Sequence, residues 1–420
     1  MPSPLRFHLL FGLLRLRSHT VVPLQRAVLR RRVARSSGTK RIEHEADLAW
    51  ALGDSDTAIP LWRKLEEAQP TRATWPMAIS RATSERGDFA AAEQTLRDAQ
   101  ARGIRDDQLD IALQRYARMG RRSNAGIEEA EAIVADPRAP DGKVFYAAFF
   151  LLGHNRLGGA RAGYERLRDT KEHGWQARGH LAAIARLEEW HAQGHPDVPG
   201  WLSPAESSVL VRAPSSDTLV IGFTLPLGTL SLPVNAVHTM LSSKGVNALY
   251  LYDSRQVFHL AGTDRFGPGY QALLDGIRAL AAELGTRRLI TVGSSATGLT
   301  ALRVAMDLDA DGALLFSGQT LMPANAEPGG ARSAHTFARM RANILPMMKN
   351  LRDDVASHPR QHIELFYGAG ERRDRMHAAN LAGLPNVTLN PIAGLTRHDS
   401  LNEMVVRGYR DLLDRFARGN

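Results

Sequence analysis

The sequence predicts an α + α/β protein, with an array of helical repeats followed by a doubly wound, mostly parallel sheet. Three observations carry this. Glycines recur at Gly53, Gly87, Gly120 and Gly153, a period of about 34 residues. Residues 194–217, rich in proline, glycine and serine, then break the helical periodicity. Beyond them, short apolar runs alternate with helix-length segments, the pattern of parallel strands covered on both faces.

The glycine period is that of helix-turn-helix repeats. Alanine follows the glycine by five residues at Ala58, Ala92 and Ala125, and proline follows by seventeen at Pro70 and Pro137. These offsets resemble the tetratricopeptide pattern, with glycine in the turn between two helices and a small residue where the helices touch. Large apolar residues fall where the second helix packs (Trp62, Leu65, Leu96), and Tyr116, Tyr146 and Phe149 serve the first helix of later units. The fourth unit departs, with Gly158 where alanine is expected and Ala160 and Tyr164 displaced by two. Residues 41–193 are therefore expected to form tetratricopeptide-like repeats. A concave helical array suits docking of a protein partner; the alternative is a scaffold packed on the second domain.

Composition bounds the function. A chain of 420 residues calls for at least two domains. No apolar run reaches the roughly 18 residues that span a bilayer. The absence of cysteine removes disulfides, thiolate metal sites and a cysteine nucleophile, and suits a cytoplasmic location. The net charge of +9 comes from residues 1–40, which hold nine basic residues and no acidic one. The folded body, lacking a basic stripe, is not expected to bind nucleic acid. The first 17 residues interleave leucine and phenylalanine with arginine. That composition suits a helix on anionic lipid, which would make a cytoplasmic protein peripheral at the inner face of the membrane; the alternative is a basic tail that is disordered or packs on the body.

Residues 218–420 form the second domain. Strands are expected at 218–223, 247–252, 288–292, 313–316, 362–367 and 386–390, with helices at 233–244, 269–284 and 298–308. The segment 318–360 interrupts this alternation; it reads as a cap over the site, with Met340, Met347 and Met348 offering a flexible apolar lining, or as a surface excursion with its own small core.

The chemistry concentrates at Leu289–Leu299, where an apolar strand ends in Gly-Ser-Ser-Ala-Thr-Gly and opens a helix. Gly293 and Thr297 flank Ser295 at minus two and plus two, as a sharp nucleophile-bearing turn requires. Ser295 is the candidate nucleophile, and the N–H of Ala296 would stabilise an oxyanion. The second oxyanion donor is expected from Leu225, Leu227 or Gly228, since Pro226 has no N–H. His398, after the last strand, is the candidate general base, and Asp374 the acid, with Glu371 in reserve. This chain order of Ser, acid and His is that of α/β-hydrolases. Competing motifs fail. Leu299 stands where a phosphate-binding loop needs lysine, Gly262–Gly269 lacks a preceding strand, and no metal-ligand spacing occurs. No cofactor or metal is expected. Ser294 reads as structural, and His362 with Glu364 as a surface pair.

Gly-Ser-Ser-Ala-Thr-Gly (293–298), Leu-Phe-Ser-Gly-Gln-Thr (315–320), Asn-Ala-Leu-Tyr-Leu-Tyr-Asp (247–253) and Leu-Pro-Asn-Val-Thr-Leu (384–389) resemble a bacterial family of α/β-hydrolase-like proteins. Some members are fused to tetratricopeptide repeats and found with polysaccharide biosynthesis or glycoprotein export machinery. The resemblance covers residues 218–415 and implies Ser295, Asp374 and His398 as the triad. It departs at Thr297, where the family has glycine, and the added bulk is expected to tighten the turn or narrow the pocket. The expected function is a serine esterase acting on a small-molecule or glycan-linked acyl ester. The alternatives are an acyltransferase using the same acyl-enzyme and a non-catalytic adaptor in polysaccharide or glycoprotein assembly.

Overall fold

The computed structural model describes residues 27–84, 86, 88–120, 124–202, 207–225, 228–253, 257–321 and 350–416. These fall into two compact units, divided between Gly120 and Arg121.

The first unit is helical. A helical run at 27–35 precedes α1 (Gly38–Ala51), α2 (Ser55–Ala68), α3 (Thr74–Ser84), α4 (Phe89–Ala101) and α5 (Asp107–Gly120). Gly53 takes a positive φ of 83° in the α1–α2 turn, and Asp54 then caps α2 by accepting from Thr57 N–H at 3.0 Å. Asp88 repeats that cap on α4 through Ala91 N–H at 2.9 Å. Asp54 and Asp88 thus cap two helices 34 residues apart in the same way. Gly87 and the side chain of Ala125 lie outside the described residues. Trp50, Trp62, Leu65, Trp75 and Ile79 form the core, with Ala58 buried between the helices.

The second unit opens with four more helices, α6 (Asn124–Ala135), α7 (Asp141–Gly153), α8 (Leu157–Leu167) and α9 (Gly174–Ala192). In α8, Ala160 and Tyr164 are fully buried while Gly158 faces open space. The sheet follows, with strands β1 (Ser208–Val211), β2 (Thr218–Phe223), β3 (Asn247–Leu251), β6 (Arg288–Ser294), β7 (Gly312–Phe316), β8 (His362–Gly368) and β9 (Val387–Ile392). The order is β1-β3-β2-β6-β7-β8-β9, with only β1 antiparallel to its neighbour. Two short strands, β4 (Gly262–Thr263) and β5 (Gly267–Pro268), form a separate hairpin. The interleaved helices are α10 (Val234–Leu241), α11 (Tyr270–Glu283), α12 (Thr297–Asp307), α13 (Arg352–Ser357), α14 (Arg372–Leu381) and α15 (Ser400–Val406). Every residue of β2, β3 and β7 is buried, so both faces of the sheet are covered.

Two expectations change here. The stretch 194–217 is more than a linker, since it carries β1, paired with β3 through Ser208–Leu251 to Val211–Ala248. This strand lies at the sheet edge, where all four residues are only half-buried. The helices before it are joined to the sheet. Asn235 at the start of α10 donates to Leu152 O (3.1 Å) and Asn155 Oδ1 (2.6 Å), and Gly200 N–H donates to Gly153 O (2.9 Å). Arg186 of α9 donates to Thr239 O. The core of the expected cap, residues 322–349, lies outside the described residues, and its flanks pair at Leu321 and Asn350. No helix among the described residues is long and apolar enough to cross a membrane.

Candidate active site

The strand order reverses between β2 and β6, and the carboxyl ends at such a switch point form a crevice. Ser295 sits there, directly after β6, with φ of 52°. A non-glycine residue held in the left-handed region costs on the order of 1–3 kcal/mol, so the surroundings must impose it. Ser295 N–H donates to Phe316 O (3.0 Å), and Ser295 O accepts from Gln319 N–H (2.8 Å) and Gly298 N–H (3.1 Å). The small flanking residues have steric causes. A Cβ on Gly293 would lie 2.5 Å from Thr297 O, and one on Gly298 would lie 2.6 Å from Gly318 Cα.

Thr297 has a use that glycine could not supply. Its Oγ1 accepts from Ser294 N–H (3.1 Å) and donates to Ser294 O (2.9 Å), clasping the turn from within. Its bulk is directed inward, being 1% exposed, so it tightens the turn. Ser294 is buried and shares a 2.6 Å hydrogen bond with Ser231, in keeping with a structural part.

The structure brings Ser295, His398 and Asp374 together. His398 Nε2 lies 2.7 Å from Ser295 Oγ, and His398 Nδ1 lies 2.5 Å from Asp374 Oδ1. With a carboxylate as its partner, Nδ1 carries the proton, leaving the Nε2 lone pair to accept from the serine hydroxyl. Asp374 is buried in the first turn of α14, and its Oδ2 accepts from Gly368 N–H (2.9 Å) and Ser317 Oγ (2.7 Å). Burial alone would raise Asp374, but hydrogen bonds from His398, Gly368 and Ser317 outweigh it and hold the carboxyl below its ordinary value. Burial alone would lower His398. The Asp374 hydrogen bond and the charges of Asp374, Glu371 and Asp399 prevail and raise it above 6.5.

Glu371 serves a different purpose. It is the N-cap of α14, accepting from Asp374 N–H at 2.6 Å, so it holds the acid in place. Donor atoms of Glu371, Asp374 and His398 lie within 4.8 Å of one another. Those of Asp374 and His398 are engaged with each other and that of Glu371 with the helix terminus, so they do not converge on a vacant ligand position.

Ala296 N–H donates to no described residue and is free for an oxyanion. The second donor requires a correction. Leu225 N–H is spent on Thr229 O (2.7 Å) and Gly228 N–H on Leu225 O (2.8 Å). Leu227 lies outside the described residues. The pair His362 and Glu364 is likewise not a surface pair: Glu364 is 3% exposed and accepts from His362 Nε2 (2.9 Å) and Asn390.

Sequence reasoning missed Ser317 and His377. His377, one turn after Asp374, accepts from Thr320 N–H through Nδ1 (3.3 Å), and burial pushes it down to about 4. The signal for Ser317 was its place immediately after an apolar strand, in Leu-Phe-Ser-Gly.

No family model matches the chain, and no curated protein matches it. Among solved structures, a carboxylesterase of the ammonia-oxidizing thaumarchaeon Nitrososphaera gargenis is similar at 12% identity and TM-score 0.30, over 52% of this chain and 96% of that one. A membrane phospholipase A described as a bacterial virulence factor is similar at 14% identity and TM-score 0.31, over 64% of this chain and 99% of that one.

Proposed function

We propose that the protein is a serine hydrolase of the α/β-hydrolase type that cleaves an acyl ester. The observation that carries this reading is the unbroken hydrogen-bonded chain Ser295–His398–Asp374, with Ser295 on a left-handed turn at the end of a central parallel strand. His398 takes the hydroxyl proton as Ser295 Oγ attacks the ester carbonyl. The tetrahedral oxyanion receives the Ala296 N–H. His398 then gives its proton to the departing alkoxide, leaving an acyl-serine. Water, deprotonated by His398, attacks that ester and releases the acid; an alcohol acceptor in place of water would make the reaction an acyl transfer. Asp374 stays ionised throughout, orienting the imidazole and stabilising its cation.

The test is labelling by a fluorophosphonate, read by intact mass. A single adduct on the wild type, absent from Ser295→Ala and much slowed in His398→Ala, is expected. A folded wild type that takes no adduct would overturn the reading.

The basic amino-terminal segment is the proposed membrane contact. Arg30, Arg31, Arg32, Arg35 and Lys40 are all exposed, with Arg32 also acting on the Asp47 carboxyl. Each such residue near an anionic bilayer contributes about 1 kcal/mol. Sedimentation with phosphatidylserine vesicles is expected to bring down the full chain but not a chain lacking residues 1–40. Equal sedimentation of both would refute it.

A further inference from the structure

We propose that Ser317 is a positioning residue for the catalytic acid: its hydroxyl locks the Asp374 carboxylate and ties it to the segment that carries His398. This rests on the reading of Asp374 and His398 as acid and base.

Ser317 follows β7 directly and is 3% exposed. Its N–H donates to Phe366 O at 2.7 Å, extending the ladder toward β8. Its φ is 46°, a left-handed conformation that the sheet end imposes on a residue with a Cβ. Three polar atoms surround its Oγ: Asp374 Oδ2 at 2.7 Å, Ser400 Oγ at 3.0 Å and Ser400 N at 3.2 Å.

A hydroxyl has one proton and two lone pairs. The ionised carboxylate can only accept, so the Ser317 proton goes to Asp374. Both lone pairs then receive Ser400, one its N–H and the other its Oγ–H. Every hydrogen-bonding capacity of Ser317 is used, in a buried site where an unmade bond costs most. The two carboxylate oxygens of Asp374 are thereby divided. Oδ2 is occupied by Ser317 and Gly368 N–H, and Oδ1 is left facing His398. Ser400 stands two residues after His398, so the oxygen that orients the acid also anchors the histidine segment. The acid and the base come from elements separated by β9, and Ser317, on a third element, bonds to both sides.

The test uses the full chain with Ser317→Ala, Ser317→Gly and Ser400→Ala. The first readout is the downfield proton resonance of His398 Nδ1, identified by its loss in His398→Ala. The second is the rate of fluorophosphonate labelling. Ser317→Ala and Ser317→Gly are both expected to shift or broaden that resonance and to slow labelling about ten- to a hundredfold, as loss of a hydrogen bond to a charged group does. Ser400→Ala, which keeps the amide donor, is expected to do less. Glycine relaxes the left-handed backbone while removing the hydroxyl, so it separates the two roles. An unchanged resonance and rate in both Ser317 variants would overturn the proposal. So would a loss in Ser317→Ala that Ser317→Gly restores, since that assigns the effect to backbone strain. A wild type that shows the resonance but takes no label would sink the hydrolase reading, leaving the role of Ser317 to be decided by the resonance.

Discussion

At the scale of single residues, the proposed chemistry makes the charge environment of His398 set the working pH. Its side chain is 36% exposed and is faced by Asp374, Glu371 and Asp399. A general base must be unprotonated to take the serine proton. Because the acids raise His398 above 6.5, labelling of Ser295 is expected to rise with pH through a midpoint above 6.5. A pH–rate profile checks this, and a midpoint below 6.5 would contradict it. The linkage to stability has two signs. Asp374, held low, stabilises the fold above its ordinary 3.8, and that contribution is lost as the pH falls through its folded value. His398, held high, stabilises the fold below 6.5, and that contribution is lost as the pH rises through its folded value. Asp399 has been pushed up to about 6 by burial, partly offset by its hydrogen bonds to Asn402, so it also titrates in this range.

At the scale of elements, the strand-turn-helix of β6 and α12 is the most demanding piece. It stores a left-handed serine, excludes a Cβ at Gly293 and closes on itself through Thr297. Thr297→Val keeps the shape and removes both clasping bonds, leaving Ser294 N–H and C=O buried without them. A loss of about 1–3 kcal/mol of stability is expected, with labelling slowed about tenfold, while Thr297→Ser retains both. Chemical denaturation beside labelling rates checks this; a valine variant as stable and as fast as the wild type would show that the clasp is idle. The elbow was legible because its constraints are local: a strand, two compact residues and a helix within a dozen positions. The second amide donor expected at 225–228 was not, because whether an amide is free depends on how the chain closes there. Leu225 and Gly228 turned out to be each other's neighbours in that closure.

At the scale of the whole molecule, α9 belongs with the sheet. Ala177, Ala183, Ile184, Leu187 and Trp190 are buried, and Trp190 packs edge-on to His238 of α10 at 5.5 Å. Near the histidine segment, a Cβ on Gly179 would lie 2.4 Å from Asn402 Oδ1, and Arg397 stacks on Trp175 at 4.6 Å. Asn402 in turn holds Asp399 at 2.7 Å, next to His398. A fragment beginning at residue 194 would expose these faces and free the histidine segment. It is expected to lose cooperative thermal unfolding and its near-ultraviolet circular dichroism relative to the full chain. A sharp transition in that fragment would show that the helices are dispensable to the sheet.

The sequence by itself determined what depends on neighbours along the chain. The glycines that turn the helices, the apolar runs that become parallel strands, and the placement of a serine, an aspartate and a histidine after strands are each set within a few residues. Their period and order survive in one dimension. Only the tertiary structure decided between Asp374 and Glu371, since both follow β8 and the choice turns on which carboxylate reaches His398 and which caps the helix. It also brought in Ser317, and it joined α6 to α9 to the sheet unit. These outcomes rest on hydrogen bonds between residues tens to hundreds of positions apart, whose partners no local pattern records.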